Sequence, residues 1–148
     1  MKESNSIPTI MIKDHCKIEK LLDELEENVE KEYSEMKKTF NKLEWELEKH
    51  LFIEEKAIFT EYQPEDIAQG YKMLPEITKQ HNYILNKLNN WRREIQKNSK
   101  ISGFYDFKKF LIKHKNFEEK EVYPRLDETL NDTQKKHIIS KINEIAQK

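Results

Sequence analysis

Apolar residues recur at steps of three and four along four long stretches of the chain, the spacing that lines one face of an α-helix. The first stripe is Met11, His15, Ile18, Leu22, Leu25 and Val29. The second is Phe40, Leu43, Leu47, His50, Glu54, Ala57 and Ile58. The third is Leu74, Ile77, His81, Ile84, Leu88, Trp91 and Ile95. The fourth takes Phe107, Phe110 or Leu111, His114, Phe117, Glu118 and Val122. A shorter fifth segment, Asp132 to Gln147, repeats Ile138, Ile142 and Ile145, with Asp132 as its expected N-cap. Breaks separate the stripes. Pro8 suits a first helical turn, Ser34 suits a cap for the second helix, and residues 63–70, with Pro64 and Gly70, read as a connection. Asn98, Ser99 and Lys100 part the third helix from the fourth, and Pro124 ends or kinks the fourth. The expectation is an all-α fold: an up-down-up-down antiparallel four-helix bundle over residues 8–126 and a short C-terminal helix over 132–147, in one domain spanning 1–148.

Composition agrees with long solvated helices: Gly occurs twice and Pro four times. Charged residues are 37 % of the chain, yet the net charge is −1 and the two signs are interspersed. No basic face is evident, so nucleic acid is not an expected partner. Cys16 is the one cysteine, which excludes an internal disulfide and a thiolate cluster. Residues 1–8 hold no apolar signal core, and no run approaches the roughly 18 apolar residues of a membrane span. A cytoplasmic protein, without membrane association, is expected, as a monomer or weak homodimer.

Polar residues stand inside the stripes in a repeated pattern. His50 to Phe59 and His114 to Tyr123 both read H-x-x-x-E-E-K-x-[IV]-[FY], offset by 64 residues. His15, Ile18 and Leu22 match His81, Ile84 and Leu88, offset by 66. The chain therefore reads as two copies of one helical hairpin, each with a lone His on its first helix and His-x-x-x-Glu on its second. In an antiparallel hairpin, residues equidistant from the turn lie at one height. The midpoints between His15 and His50, between His50 and His81, and between His81 and His114 all fall in the breaks. All four histidines should then share one layer, roughly 25 Å from the two short turns at ~1.5 Å per residue. Glu54 and Glu118, one helical turn beyond their histidines, should face the same interior. Glu55 and Glu119, rotated by ~100°, should be solvated or support that layer from outside.

Four imidazoles and two carboxylates inside an apolar bundle need compensation, and divalent cations compensate both. Six donors are few for two separate octahedral ions but adequate for a shared pair. Glu54 and Glu118 would bridge, two histidines would serve each ion, and an oxo, hydroxo or water bridge would fill part of the remainder. At least one position would stay open. Trp45, Trp91 and the Phe stripe read as core, Cys16 as a small packing residue, and His137 as surface or partly buried.

The motifs His50-x-x-x-Glu54-Glu55 and His114-x-x-x-Glu118-Glu119, each preceded by a helix with one His, resemble the hemerythrin-like cation-binding family from Ile10 to Leu126. The resemblance implies a non-haem di-iron centre, oxo- or hydroxo-bridged, with zinc or manganese as lesser alternatives. It implies His15, His50, His81 and His114 as terminal ligands and Glu54 and Glu118 as bridges. The oxygen carriers of that family have a fifth His, making H-x-x-x-H on the third helix, and a final Asp five residues after its His. Here Ile77 and Leu85 flank His81, and Glu118 is at +4, so the chain resembles the wider four-histidine branch. That branch is associated with sensing of oxygen, iron or redox state, with nitric oxide or peroxide handling, and with iron–sulfur repair. Repair proteins usually carry an added cysteine-containing domain, which is not expected here.

A di-iron protein binding a diatomic or peroxide ligand is the leading expectation, its open position ringed by Ile18, Ile84, Leu85, Leu111 and Phe117. An iron- or redox-responsive binding module is the alternative. No His has a Glu three residues earlier, so the ferritin-like pattern is absent and no catalytic residue is assigned.

Overall fold

The computed structural model describes residues 6–61 and 67–146. It is an all-α bundle. Helix α1 (Ile7–Asn28) starts where Ser6 accepts a hydrogen bond from the Thr9 N–H at 3.2 Å, and Pro8 lies in its first turn, where no amide donor is required. Helix α2 (Tyr33–Ile53) starts directly after Glu32, which makes no side-chain capping bond, and Ser34 lies inside the helix instead of capping it. Tyr33 thereby joins the first turn and packs on the core, its hydroxyl bonded to the Ile95 carbonyl. Helix α3 (Ile67–Gln96) already includes residues 67–70 of the expected connection; the rest of that connection, 63–66, lies outside the described residues.

Helix α3 ends on a left-handed Asn98 (φ +59°). The Ser99 amide reaches back to the Glu94 carbonyl at 2.8 Å and the Asn98 amide to that of Ile95 at 2.9 Å, which satisfies two end carbonyls. Gly103, at φ +70°, then turns the chain into α4 (Phe104–Phe117), a conformation that only glycine adopts at little cost. Pro124 does not end the fourth helix. The backbone widens to a π turn over Glu118–Val122 and resumes as α5 (Tyr123–Thr129), with Pro124 in its opening turn. An equivalent π turn, Glu54–Ile58, follows α2. Helix α6 (Asp132–Ala146) is capped by Asn131 rather than Asp132: Asn131 Oδ1 accepts from the Gln134 N–H at 2.8 Å, and Gln134 Oε1 accepts from the Asn131 N–H at 2.9 Å. Its expected last residue, Gln147, lies outside the described residues.

Two apolar clusters fill the bundle. One, toward the short turns, holds Leu22, Leu25, Phe40, Leu43, Leu88, Trp91 and Phe107. The other joins the start of α1 and the ends of the second and fourth helices to α5 and α6, through Met11, Ala57, Ile58, Val122, Leu126, Ile138 and Ile142. The fifth stripe thus covers one end of the bundle. Two residues expected to be packed inside lie at the surface. Trp45 is 56 % exposed, because it sits two residues from Leu43 and so roughly 200° around the helix from the buried stripe. Cys16, one step past His15, is exposed rather than packed. No helix among the described residues is long and apolar enough to cross a membrane.

Candidate metal centre

The histidines and glutamates of the repeat meet in one buried layer between the two apolar clusters. His15, His50, His81 and His114 are each at most 5 % exposed, and Glu54 and Glu118 are fully buried. His15 Nε2 lies 3.1 Å from His50 Nε2 and 3.0 Å from Glu118 Oε1. His50 Nε2 lies 3.3 Å from Glu54 Oε2. Across the layer, His81 Nε2 is 3.0 Å from Glu54 Oε1, and His114 Nε2 is 3.2 Å from Glu118 Oε2. These atoms form two sets that could each hold one metal ion: His15, His50, Glu54 and Glu118, and Glu54, His81, His114 and Glu118. Both carboxylates belong to both sets, one oxygen toward each.

Every histidine is held from behind. His15 Nδ1 pairs with Glu119 Oε2 at 2.8 Å, His50 Nδ1 with Asp14 Oδ2 at 2.6 Å, His81 Nδ1 with Glu55 Oε2 at 2.7 Å, and His114 Nδ1 with Gln80 Oε1 at 2.5 Å. Gln80 Nε2 donates to Glu76 Oε2 at 2.8 Å, which leaves the amide oxygen to face His114. Assigned from these bonds, each Nδ1 donates outward and each Nε2 lone pair points inward. Glu55 and Glu119 thus support the layer from outside, while Asp14 and Gln80 are partners that the spacing did not indicate.

The arrangement asks for positive charge. Glu54 Oε1, Glu118 Oε2, His81 Nε2 and His114 Nε2 are buried without a hydrogen-bond partner, although they lie close together. Lone pairs facing one another at such distances are unfavourable unless a cation sits among them. Nitrogen and carboxylate oxygen are also the right donors for a divalent transition metal, so the residues fit such an ion.

Protons can supply the charge when metal does not. Burial acts to lower the His81 imidazole, but hydrogen bonds to Glu118 and Glu54, the Glu54 charge and the bond to Glu55 outweigh it and hold it at about 10. His50 is likewise raised well above its ordinary value, with burial opposing and Glu54, Asp14 and Glu118 prevailing. Glu118 is held well below its ordinary range: burial opposes, and its four histidine neighbours prevail. A raised histidine stabilises the fold fully below its unfolded value near 6.5 and ceases to do so as pH rises through its folded value. A depressed carboxylate stabilises above its unfolded value near 4.5 and is lost as pH falls. Chelator-treated protein is therefore expected to be most stable between about 4.5 and 6.5 and to weaken steadily toward pH 10. Urea midpoints across that range check it; a midpoint that rises above pH 6.5 contradicts it.

One residue of the site escaped the helical period. Tyr123 is fully buried, and its hydroxyl lies 2.5 Å from Glu54 Oε2, 3.0 Å from Glu118 Oε1 and 3.1 Å from His15 Nε2. Five residues separate it from Glu118, which in an α-helix would aim it ~140° away. The π turn, closing over i and i+5, sets the two side chains on one face. Phe59 holds the matching position of the first copy and stacks on His81 with ring centroids 6.5 Å apart. The repeated aromatic five residues after each glutamate was the available signal.

A cavity of about 20 Å³ adjoins the layer, bordered by His15, His50, His114, Ile18, Leu51 and Leu111. Ile18 and Leu111 were expected there; Ile84, Leu85 and Phe117 do not border it. His137 is exposed, with Nδ1 3.1 Å from Glu61 Oε2, and takes no part.

Comparison with known families gives a match to the hemerythrin HHE cation-binding domain over residues 6–136. Neither the curated proteins nor the solved structures provide a match.

Proposed function

The chain belongs to the hemerythrin family of HHE cation-binding domains, and on that premise we propose that it holds two iron ions and takes oxygen, nitric oxide or peroxide at an open position. One observation carries the reading: two four-donor sets, wholly buried, share the carboxylates of Glu54 and Glu118. His15 and His50 would be the terminal ligands of one ion, His81 and His114 those of the other, with the glutamates as bridges. Iron is favoured over zinc because a mixed nitrogen and oxygen set with shared carboxylates suits an ion of higher coordination number than four. Such a pair supplies a Lewis-acidic, redox-active position.

The chain's own residues do the rest. Asp14, Glu55, Gln80 and Glu119 fix the imidazole orientations, and three of those four partners are carboxylates, which strengthens the nitrogen donors. The cavity beside His15, His50 and His114 has room for about one water-sized molecule, so it admits diatomics and excludes larger substrates. Its apolar lining by Ile18, Leu22, Leu47, Leu51 and Leu111 keeps bulk water away.

Asp14→Ala is expected to weaken metal retention by roughly 10- to 100-fold while the ligands stay in place; competition against a chromogenic chelator measures it, and unchanged affinity would remove Asp14 from the account. The reading as a whole is tested by absorption spectra of iron-loaded protein under argon, after oxygen, nitric oxide or peroxide, and after their removal. A reversible spectral change supports ligand binding at the pair. A loaded centre that responds to none of the three contradicts it.

A further inference from the structure

We infer that the phenolate of Tyr123 is a further metal ligand, on the ion held by His15 and His50, so that the two ions of the centre differ in coordination. The inference rests on the di-iron reading above and deepens it.

Tyr123 Oη is surrounded by Glu54 Oε2 at 2.5 Å, Glu118 Oε1 at 3.0 Å and His15 Nε2 at 3.1 Å. With His15 in the neutral tautomer that donates its Nδ1–H to Glu119, the form in which it would bind a metal, all three neighbours bring lone pairs, the carboxylates being acceptors. The phenol owns one proton. It satisfies Glu54 Oε2, the shortest contact, and leaves two approaches in which lone pairs face each other inside a fully buried layer. A hydrogen-bonding role therefore accounts for one contact of the three.

A shared cation accounts for the two contacts that the proton leaves over. Donors at right angles around an ion with bonds of ~2.1 Å lie ~3.0 Å apart. The Tyr123 separations from Glu118 and His15 match that edge, as do those from His15 to His50, 3.1 Å, and from His15 to Glu118, 3.0 Å. The neighbours also come from different parts of the bundle: His15 from α1, Glu54 from the π turn after α2, and Glu118 from the π turn after α4. With Tyr123 the first set has five donors, His15, His50, Glu54, Glu118 and Tyr123. The second keeps four, because Phe59 occupies the corresponding place and has no oxygen to offer. The duplicated halves thus differ by one hydroxyl, and the less filled ion is the one held by His81 and His114. When the oxygen–metal bond forms, the phenol O–H breaks and its proton leaves to solvent.

Ferric iron bound by a phenolate gives a charge-transfer band in the visible and resonance-enhanced ring vibrations; a phenol that only donates a hydrogen bond gives neither. The experiment loads the full chain with ferrous iron under argon, oxidises it in air, and records iron content, absorption and resonance Raman spectra. The expected result is two irons per chain with a visible band whose ring modes shift when tyrosine is ring-deuterated. Tyr123→Phe should keep the iron and lose the band. Should that variant fail to fold, the isotope shift in the wild-type chain still decides. Wild-type protein with two irons and no phenolate modes overturns this inference alone. Wild-type protein that takes up no iron overturns the di-iron reading, and this inference with it.

Discussion

Glu118→Ala is expected to lower the metal content from two ions per chain to one or none. Glu118 Oε1 lies 3.0 Å from His15 Nε2 and 3.8 Å from His50 Nε2, while its Oε2 lies 3.2 Å from His114 and 3.6 Å from His81. Among the described residues, no other side chain approaches all four imidazoles. Removing it leaves one carboxylate to balance two divalent ions in a buried layer, where uncompensated charge is strongly disfavoured. Alanine also leaves a hole that the surrounding helices close only in part. Glu54→Ala should act in the same direction. Elemental analysis of the folded variants measures the effect, with helical content followed by circular dichroism. A Glu118→Ala protein that keeps both ions at wild-type affinity would remove the bridging role.

The second large effect is on stability. Stripping the metal should lower the thermal midpoint by about 10 °C, because free ion at ~1,000 times its dissociation constant adds ~4 kcal/mol and each kcal/mol moves a chain of this size by ~2–4 °C. The location of the layer makes this a property of the whole fold. It lies between the cluster around Trp91 and Leu43 and the cluster around Ile58 and Ile138, so both lose support when its charges are left facing one another. Differential scanning calorimetry before and after chelation, with metal restored as the control, reads the difference. An identical midpoint in the three samples contradicts the coupling.

Much of this geometry is legible in the chain itself. The stripes place Met11, Leu22, Phe40, Leu43, Ile84, Leu88 and Trp91 inward because each falls on a 3.6-residue period, and all are buried. The repeat offset brings His15, His50, His81 and His114 to one height because antiparallel hairpins conserve distance from the turn. What the period cannot show is where it breaks. The π turns over Glu54–Ile58 and Glu118–Val122 add a residue to one helical turn, and only that brings Tyr123 round to Glu118. Asp14 and Gln80 were equally hidden. Each precedes a lone histidine by one residue and faces the adjacent helix, so its role depends on which helix is next door. The caps slipped for a local reason: Asn131 and Gln134 satisfy each other reciprocally, which leaves Asp132 free to enter the helix. Family membership is shown for residues 6–136, and no catalytic assignment follows from it.

Anomalous diffraction from crystals of protein purified without added metal examines the centre directly. Data on either side of the iron absorption edge should show two peaks, one flanked by His15 and His50, the other by His81 and His114, with Glu54 and Glu118 touching both. Crystals in which those imidazoles and carboxylates enclose no anomalous scatterer, after the protein has been offered iron, would contradict the account.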